Sequence, residues 1–255
     1  MLFYEDEWVT LYQGDCRKLV PALGLKADCI LADPPYAETA LAWDRWPDGW
    51  PKVLAEAAGS MWCFGSMRMF LDRRDEFAGW RMSQDVVWQK RTGSGPAADR
   101  FKRVHEHAVH WYRGPWSDVH HDAVRVPADP EVVKRNGIHA RHHRGEHIGN
   151  YGTVKGWTET GTRLVQSVIP ARSMHHLAVH PTEKPVAVLD LLIRYACPPG
   201  GTVLDPFAGS GSTAVAARLS GRRAVLIEAN ERYCEAIVKR LAQDVLALDE
   251  CEGAP

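Results

Sequence analysis

A short apolar run that stops at two consecutive prolines constrains the fold of this chain more than any other stretch. Cys29–Ala32 has the length and composition of a buried parallel strand, and the sequence DPPY follows directly at Asp33–Tyr36. The prolines fix φ at two successive positions, and the first also favours an extended backbone at Asp33. The stretch is predicted to hold a carboxylate and an aromatic ring at the carboxyl end of a strand, where ligands bind in open α/β sheets. A proline-stiffened surface turn is the structural alternative.

Strand and helix patterns alternate along most of the chain. Seven strands are predicted, near residues 9–12, 29–32, 60–64, 84–89, 104–112, 202–204 and 223–227. From residue 113 to about residue 176 the periodicity disappears, which in a compact domain indicates a functional or disordered segment. The sequence thus predicts an α/β fold with a doubly wound, mostly parallel seven-stranded sheet. Residues 1–112 and 177–255 form the two halves of this domain, and residues 113–176 form an irregular inserted lobe.

The composition is that of an ordinary globular protein. Apolar residues make up 45% of the 255 residues and charged residues 25%. No apolar run approaches the roughly 18–20 residues of a membrane span, and the amino terminus lacks the basic region and cleavage site of a signal peptide. The six cysteines are scattered without a CxxC pair, which indicates reduced thiols and argues against a zinc ribbon or a disulfide framework. We therefore expect a cytoplasmic protein without a membrane partner.

Charge is distributed unevenly along the chain. Residues 89–176 hold 14 Lys and Arg against 8 Asp and Glu, with 11 of the 12 histidines, although the net charge is −1. A basic middle indicates a polyanionic partner, but arginine-rich surface loops without a partner are also common. The histidines have no cysteine among them and form no HExxH pair, so no metal site is predicted. Contact with a nucleic-acid backbone, or plain exposure, is the favoured interpretation.

A glycine-rich stretch lies near the carboxyl terminus. Residues 203–214, VLDPFAGSGSTA, predict a strand, a glycine turn and a helix start, where backbone N–H groups can approach a ligand closely. Glu228 ends the following strand, where a carboxylate can accept hydrogen bonds from both hydroxyls of a ribose. The spacing Gly209-x-Gly211-x-x-Ala214 also matches a dinucleotide fingerprint. An NAD-linked dehydrogenase is therefore an alternative, but it leaves the DPPY sequence without a role.

Four sequence blocks together resemble a known enzyme family. They are DPPY at 33–36, HPTEKP at 180–185, DPFAGSG at 205–211, and Glu228 in IEANERYCEAIVKRL. Their order, with the catalytic block first and the cofactor block last, is similar to that of the beta group of DNA amino-methyltransferases, and Gly14-Asp15-Cys16 also fits that group. The resemblance covers nearly the whole chain except the irregular middle, which lies where the family keeps its target-recognition region.

The resemblance implies a reaction and its catalytic residues, Asp33, Pro34, Pro35 and Tyr36. The family transfers a methyl group from S-adenosylmethionine to an exocyclic amine of a base flipped out of double-stranded DNA. Hydrogen bonds from the amine to Asp33 and to the Pro34 carbonyl would localise its lone pair towards the sulfonium methyl, and Tyr36 would stack on the base. No Pro-Cys dipeptide is present for carbon-5 cytosine chemistry.

The resemblance also implies a cofactor site. Its expected residues are Asp15, Lys184, Asp205, Phe207, Ala208, Gly209, Gly211 and Glu228. In this expectation Lys184 pairs with the methionine carboxylate, Glu228 holds the ribose and Asp15 reaches the adenosine end. The structural alternatives for these three are an exposed lysine in a proline-rich turn, a surface acid at a strand end, and a turn residue or helix cap.

The target base and the partners follow from the same resemblance. In the family, Asp as the first residue of the tetrapeptide goes mostly with adenine N6 and Ser mostly with cytosine N4, so adenine N6 is favoured and cytosine N4 is the runner-up. A catalytically weak DNA-binding module with the same fold is the alternative from another class.

The candidate DNA-binding residues are Arg125, Arg135, Arg141, Arg144 and Arg163. Besides double-stranded DNA, the resemblance allows a homodimer and a cognate restriction enzyme as partners.

Overall fold

The structure is a computed structural model that describes residues 1–94, 99–128, 161–172 and 183–252. The chain divides into two compact units, Met1–Asp122 with Ser167–Pro255, and Ala123–Gln166. The second unit is shorter than the predicted insertion at both ends because the flanking residues join the first unit. The amide of Asp122 donates to the Tyr195 carbonyl at 2.9 Å, and the amide of Val87 donates to the Ser167 carbonyl at 2.7 Å.

Among the described residues, nine strands form the sheet of the first unit, and two form an antiparallel pair in the second. In chain order they are β1 (Leu2–Glu5), β2 (Val9–Gln13), β3 (Cys29–Ala32), β4 (Ser60–Gly65), β5 (Arg81–Ser94), β6 (Arg103–Tyr112), β7 (Arg125–Pro127), β8 (Thr162–Leu164), β9 (Val168–Pro170), β10 (Thr202–Asp205) and β11 (Arg223–Glu228). The order across the large sheet is β1-β2-β11-β10-β3-β4-β6-β5-β9. In this sheet β1 and β6 run antiparallel to their neighbours and the other strands run parallel to one another. The predicted mostly parallel α/β class is confirmed.

All seven predicted strands form, but the predicted number of strands is too low by two. Strand β1 pairs with β2 across a turn in which the Asp6 carboxylate accepts hydrogen bonds from the amides of Trp8 and Val9, at 2.8 and 2.7 Å. Strand β9 has only three residues and pairs with β5 from within the segment predicted to be irregular. Neither strand carries an apolar pattern of its own, because Leu2–Glu5 has no buried residue and β9 has only one.

The described residues include six α-helices. They are α1 (Cys16–Leu23), α2 (Trp50–Leu54), α3 (Met67–Asp72), α4 (Val186–Ala196), α5 (Ser212–Leu219) and α6 (Glu231–Glu252). Among these described helices, none combines the length and the apolar character needed to cross a membrane. Five cysteines have described side chains, and all are buried with free thiols: Cys16, Cys29, Cys63, Cys197 and Cys234.

The order of the central strands brings the proline and glycine motifs to one edge of the sheet. Strand β3 pairs in parallel with β10, with Ile30 opposite Leu204, and β10 pairs in parallel with β11. Since the carboxyl ends of adjacent parallel strands meet at the same edge, Asp33, Asp205 and Glu228 all lie at that edge. Residues far apart in the chain thereby become neighbours.

The second unit contains a short antiparallel pair of strands, β7 and β8. Arg125 on β7 donates from Nε to the Thr162 hydroxyl at 2.9 Å and from Nη2 to the Thr162 carbonyl at 3.0 Å, and Arg163 lies on β8. The other arginines predicted to bind DNA, Arg135, Arg141 and Arg144, lie outside the described residues. The recognition role of this unit stays a prediction.

Candidate active site

Asp33 lies at the end of β3 with both carboxylate oxygens hydrogen-bonded. Its Oδ1 accepts from the Tyr36 hydroxyl at 2.8 Å, and its Oδ2 accepts from Lys184 Nζ at 2.5 Å. Burial and the adjacent Asp33 charge raise the pKa of Tyr36 well above its ordinary value, so the hydroxyl keeps its proton and remains a donor. The first and last residues of the DPPY block therefore form one hydrogen-bonded unit with a lysine from a distant part of the chain.

Lys184 is a buried residue of this unit, and the alternative of an exposed lysine is wrong because only 6% of it is accessible. Its Nζ also lies 3.4 Å from Glu106 Oε2 and 5.9 Å from the centre of the Tyr36 ring. Burial disfavours the ammonium form, but the carboxylates of Asp33 and Glu106 outweigh burial and raise the pKa of Lys184. The structure provides two protein carboxylates as partners of Lys184, and the expected contact with a methionine carboxylate stays a prediction.

Glu106 on β6 and Lys90 on β5 extend this arrangement of charges, and the sequence analysis missed both. Lys90 Nζ donates to Glu106 Oε1 and lies 4.7 Å from the centre of the Trp88 ring. Burial acts to raise the pKa of Glu106, but Lys184 and Lys90 outweigh it and lower that pKa. The sequence shows only a lysine and a glutamate on successive strands. The register pairs Trp88 with Glu106, and this pairing brings Lys90, two residues further along β5, within reach of Glu106.

Asp205 ends β10 and is buried, so that its carboxylate organises the glycine turn. Its Oδ2 accepts from the Thr213 hydroxyl at 2.5 Å, and its Oδ1 accepts from the Phe207 amide at 3.0 Å. Burial raises the pKa of Asp205 to about 7, although both hydrogen bonds favour the ionised form. The Phe207 ring packs edge-on against the fully buried Trp50 at 5.2 Å. Hydrogen bonds to Asp205 and the packing of Phe207 therefore fix the start of the glycine turn.

Glu228 ends β11 with its carboxylate oriented by two backbone amides. The Gly209 amide donates to Oε2 at 2.9 Å and the Asn230 amide donates to Oε1 at 2.8 Å. Each oxygen retains a lone pair for a further donor. Burial raises the pKa of Glu228 against the effect of these backbone hydrogen bonds. Gly209 has a φ of 52°, a left-handed conformation that glycine adopts without strain.

Gly211 differs from the other predicted cofactor residues because it is not among the residues that line the cavity at this edge. It is the N-cap of α5 with a φ of 76°, and a Cβ added to it would lie 3.1 Å from two side-chain carbons of Ile237 on α6. The space next to Gly211 thus belongs to the core. The structure gives this glycine a role in the turn and in packing, and its expected close approach to a ligand stays a prediction.

A cavity of about 600 Å³ opens at this edge of the sheet. All the other predicted catalytic and cofactor residues line it: Asp15, Asp33, Pro34, Pro35, Tyr36, Lys184, Asp205, Phe207, Ala208, Gly209 and Glu228. Asp15 is also the N-cap of α1, where it accepts from the Arg17 amide at 2.9 Å and forms an ion pair with the Arg17 guanidinium at 2.7 Å. Across the described part of the chain, no group of three or more His, Cys, Asp or Glu side chains is arranged to hold a metal ion.

The loop after Tyr36 also lines the cavity and is held by one buried carboxylate. Asp44 is 5% exposed and accepts from the amides of Ala37, Glu38 and Thr39 at 2.7, 2.9 and 2.6 Å. Ala37 has a φ of 58°, which is rare for a residue other than glycine. The three hydrogen bonds to Asp44 offset the cost of this conformation, so the loop is preorganised beside the DPPY block.

Asp205→Asn is expected to change the pH dependence of stability. With a folded pKa of about 7 and an ordinary value of 3.8, wild-type Asp205 binds a proton in the folded state that it loses on unfolding. The free energy of unfolding should therefore fall between about pH 4 and pH 7, by up to about 4 kcal/mol from this group. Asparagine can accept from the Phe207 amide and donate to Thr213, so the variant should lack this fall.

Urea unfolding of both proteins at pH 5 and pH 8 measures this difference. The exposed carboxylate of Asp72 on α3 provides the control, because Asp72→Asn should leave the pH dependence unchanged. Equal losses of stability with pH in wild type and Asp205→Asn would show that Asp205 is ionised in the folded state.

Comparison with known sequences matches the chain to a family model and to relatives that cover either most of the chain or a quarter of it. The family model described as DNA methylase matches residues 27–239. The Type II methyltransferase M.ScaI of Streptomyces caespitosus is 28% identical, covering 96% of this chain and 85% of that protein. The YubD protein of Escherichia coli (strain K12) is 59% identical over 63 residues, which are 25% of this chain and 28% of that protein.

Comparison with solved structures gives the same fold. The M1.HpyAVI–SAM complex has a TM-score of 0.59 and 22% identity, with 91% of this chain and 98% of the other covered. The PvuII DNA methyltransferase, which is cytosine-N4-specific, has a TM-score of 0.61 and 14% identity, with 92% and 86% covered. Since the family model spans most of the chain and the fold agrees, this chain belongs to the DNA methylase family, in its beta group of amino-methyltransferases.

Proposed function

We propose that this protein transfers the methyl group of S-adenosylmethionine to N6 of adenine in double-stranded DNA. The observation that carries the proposal is that the DPPY block and the Glu228 carboxylate line the same 600 Å³ cavity. An acceptor for an amine and an acceptor for ribose hydroxyls are both needed for this reaction. Asp33 as the first residue of the block supports adenine, following the association within the family.

The cavity residues fit S-adenosylmethionine. The cavity volume lies in the range of about 300–1,000 Å³ that small-molecule sites occupy. Glu228 has oriented oxygens with lone pairs to spare for two ribose hydroxyls, and Gly209 presents backbone without a side chain. Phe207 and Ala208 would contact the methionine part, and Asp15 would reach the adenosine end. The bound cofactor would supply an electrophilic methyl group on its sulfonium.

The DPPY block would prepare the amine as nucleophile. The lone pair of an exocyclic amine is delocalised into the base, so the free amine attacks poorly. Hydrogen bonds from its two N–H groups to Asp33 and to the Pro34 carbonyl would localise the lone pair, and stacking on Tyr36 would help offset an unstacking cost of a few kcal/mol. Transfer to nitrogen would then be direct, without a covalent enzyme intermediate. The bond between sulfur and the methyl carbon would break as the nitrogen–carbon bond forms, leaving a neutral thioether. The surplus amine proton would leave through the hydrogen bond to Asp33 and pass to solvent.

Glu228→Gln is expected to weaken S-adenosylmethionine binding by about 10- to 150-fold, the equivalent of about 1.5–3 kcal/mol for a hydrogen bond to a charged group. The amide would also place N–H groups against one of the two backbone donors that now orient the side chain. Isothermal titration calorimetry measures the dissociation constant. Glu231→Gln, an exposed change at the start of α6, is the control, and equal affinities in both variants would exclude Glu228 from the ribose site.

The base assignment is tested by product analysis. DNA free of prior methylation is incubated with the protein and methyl-labelled cofactor, and the nucleosides are separated by mass spectrometry. We expect N6-methyladenine. N4-methylcytosine instead would replace the adenine proposal with the runner-up, and the absence of both from a protein that binds DNA would favour the catalytically weak binding module.

The second unit is proposed to read the DNA sequence, with Arg125 and Arg163 on its two paired strands among the candidates. Exchange of residues 113–176 for the corresponding lobe of a relative with a different specificity should transfer the methylated motif. A motif that stays with the first unit would contradict this role.

The proposal extends to two partners: a second copy of the chain, tested by sedimentation, and a restriction enzyme whose cleavage the methylation blocks.

A further inference from the structure

Lys184 is enclosed by carboxylates and aromatic rings beside the cavity. Its Nζ lies 2.5 Å from Asp33 Oδ2 and 3.4 Å from Glu106 Oε2. The centres of the Tyr36 and Phe64 rings lie 5.9 and 5.2 Å from the same atom. Moving the ammonium away would leave two carboxylates without this counter-ion in a poorly solvated site, so the surroundings hold Lys184 in place.

Glu106 is itself held between two lysines. Lys90 donates to one of its carboxylate oxygens and Lys184 lies at the other. The Lys90 ammonium also lies over the Trp88 ring, at 4.7 Å from its centre. The alternating charges of Lys90, Glu106, Lys184 and Asp33 thus connect β5 and β6 with the end of β3. One end of this series is Lys90 on a strand of the sheet, and the other end is Asp33, the predicted acceptor of the amine.

We propose that Lys184 is a positioning residue that holds the Asp33 carboxylate for the incoming amine, and that Glu106 and Lys90 keep Lys184 there. The inference rests on the proposed function. With Tyr36 on Oδ1 and Lys184 on Oδ2, the carboxylate is fixed in rotation, while each oxygen keeps a lone pair for an amine N–H. Alignment of a reacting group matters because a misplacement of about 1 Å costs about 100-fold in rate.

Lys184→Met tests the position of Asp33, because it removes the ammonium and keeps a chain of similar length. We expect the single-turnover rate at saturating cofactor and DNA to fall by about 100-fold, with unchanged dissociation constants for S-adenosylmethionine and DNA. Lys184→Arg keeps the charge and should recover part of the rate. Lys239→Met, an exposed change on α6, is the matched control and should alter none of these values.

Glu106→Gln tests whether the charges act as one series. It removes a counter-ion of Lys184, and we expect a several-fold lower rate with unchanged cofactor affinity. The double variant with Lys184→Met should be no slower than Lys184→Met alone, because Glu106 acts through Lys184. Multiplicative losses in the double variant would overturn the part of the proposal that concerns Glu106.

Two results with Lys184→Met would overturn the proposal. One is a wild-type rate. The other is weaker binding of S-adenosylmethionine together with a normal rate once saturated, which would assign Lys184 to the methionine carboxylate. If Lys184→Met fails to fold, as judged by circular dichroism and its melting temperature, a wild-type rate in Glu106→Gln overturns the proposal instead. A wild-type protein that methylates no DNA contradicts the proposed function itself, before any variant is compared.

Discussion

Asp33→Ala is expected to lower the rate of methyl transfer by about 10²- to 10⁴-fold, the range for loss of a positioned proton acceptor or hydrogen-bond partner. Without the carboxylate, one of the two amine N–H groups loses its acceptor and only the Pro34 carbonyl remains, so the lone pair stays largely delocalised into the base. Tyr36 and Lys184 also lose the partner that they share. The rate is measured in a single turnover at saturating S-adenosylmethionine and DNA.

Cofactor affinity separates this loss from a general failure of the protein. Asp33 takes no part in the hydrogen bonds that orient Glu228, so the dissociation constant for S-adenosylmethionine should change little. Asp72→Ala removes an exposed carboxylate from α3 and should leave both values at the wild-type level. Wild-type turnover in Asp33→Ala would refute the assignment of Asp33.

Gly211→Val is expected to destabilise the protein by about 2–5 kcal/mol. A left-handed conformation costs a residue with a Cβ about 1–2 kcal/mol, and overpacking of a core costs about 1–3 kcal/mol more. Both apply here, because φ is 76° and the new Cβ would lie 3.1 Å from the fully buried Ile237. Urea unfolding measures the change. Cofactor binding should weaken as a consequence, since the turn that carries Gly209 must shift.

Gly24→Val separates strain from contact. Gly24 ends α1 with a φ of 60°, and a Cβ there would meet nothing within 4 Å. This control should lose the conformational part only, so Gly211→Val should be less stable than Gly24→Val by about the overpacking cost of 1–3 kcal/mol. Normal stability of Gly211→Val with abolished cofactor binding would instead mean that the glycine faces the ligand.

Most strands and the strand ends at the cavity could be predicted because each depends on a short contiguous stretch of sequence. Seven strands were identified from short apolar or alternating runs, and the DPPY and DPFAGSG blocks mark the strand ends at which the cavity opens. The family was recognisable for the same reason, since its blocks are short and ordered. Strands β1 and β9 were missed because each is stabilised by pairing with a partner strand and not by a pattern of its own.

The sequence by itself determined the types of side chain at the candidate site and the α/β class that brings them to one sheet edge. Only the tertiary structure decided which side chains contact each other. Lys184, predicted to bind the cofactor, contacts Asp33 and Glu106, and Gly211, also predicted to bind the cofactor, packs against Ile237. The cofactor contacts of both residues stay predictions. The physical reason is that a buried charged side chain pairs with an opposite charge close to it in space, and the space beside a glycine is filled by whichever side chain packs there. Both depend on the register and packing of elements far apart in the chain, which no local pattern encodes.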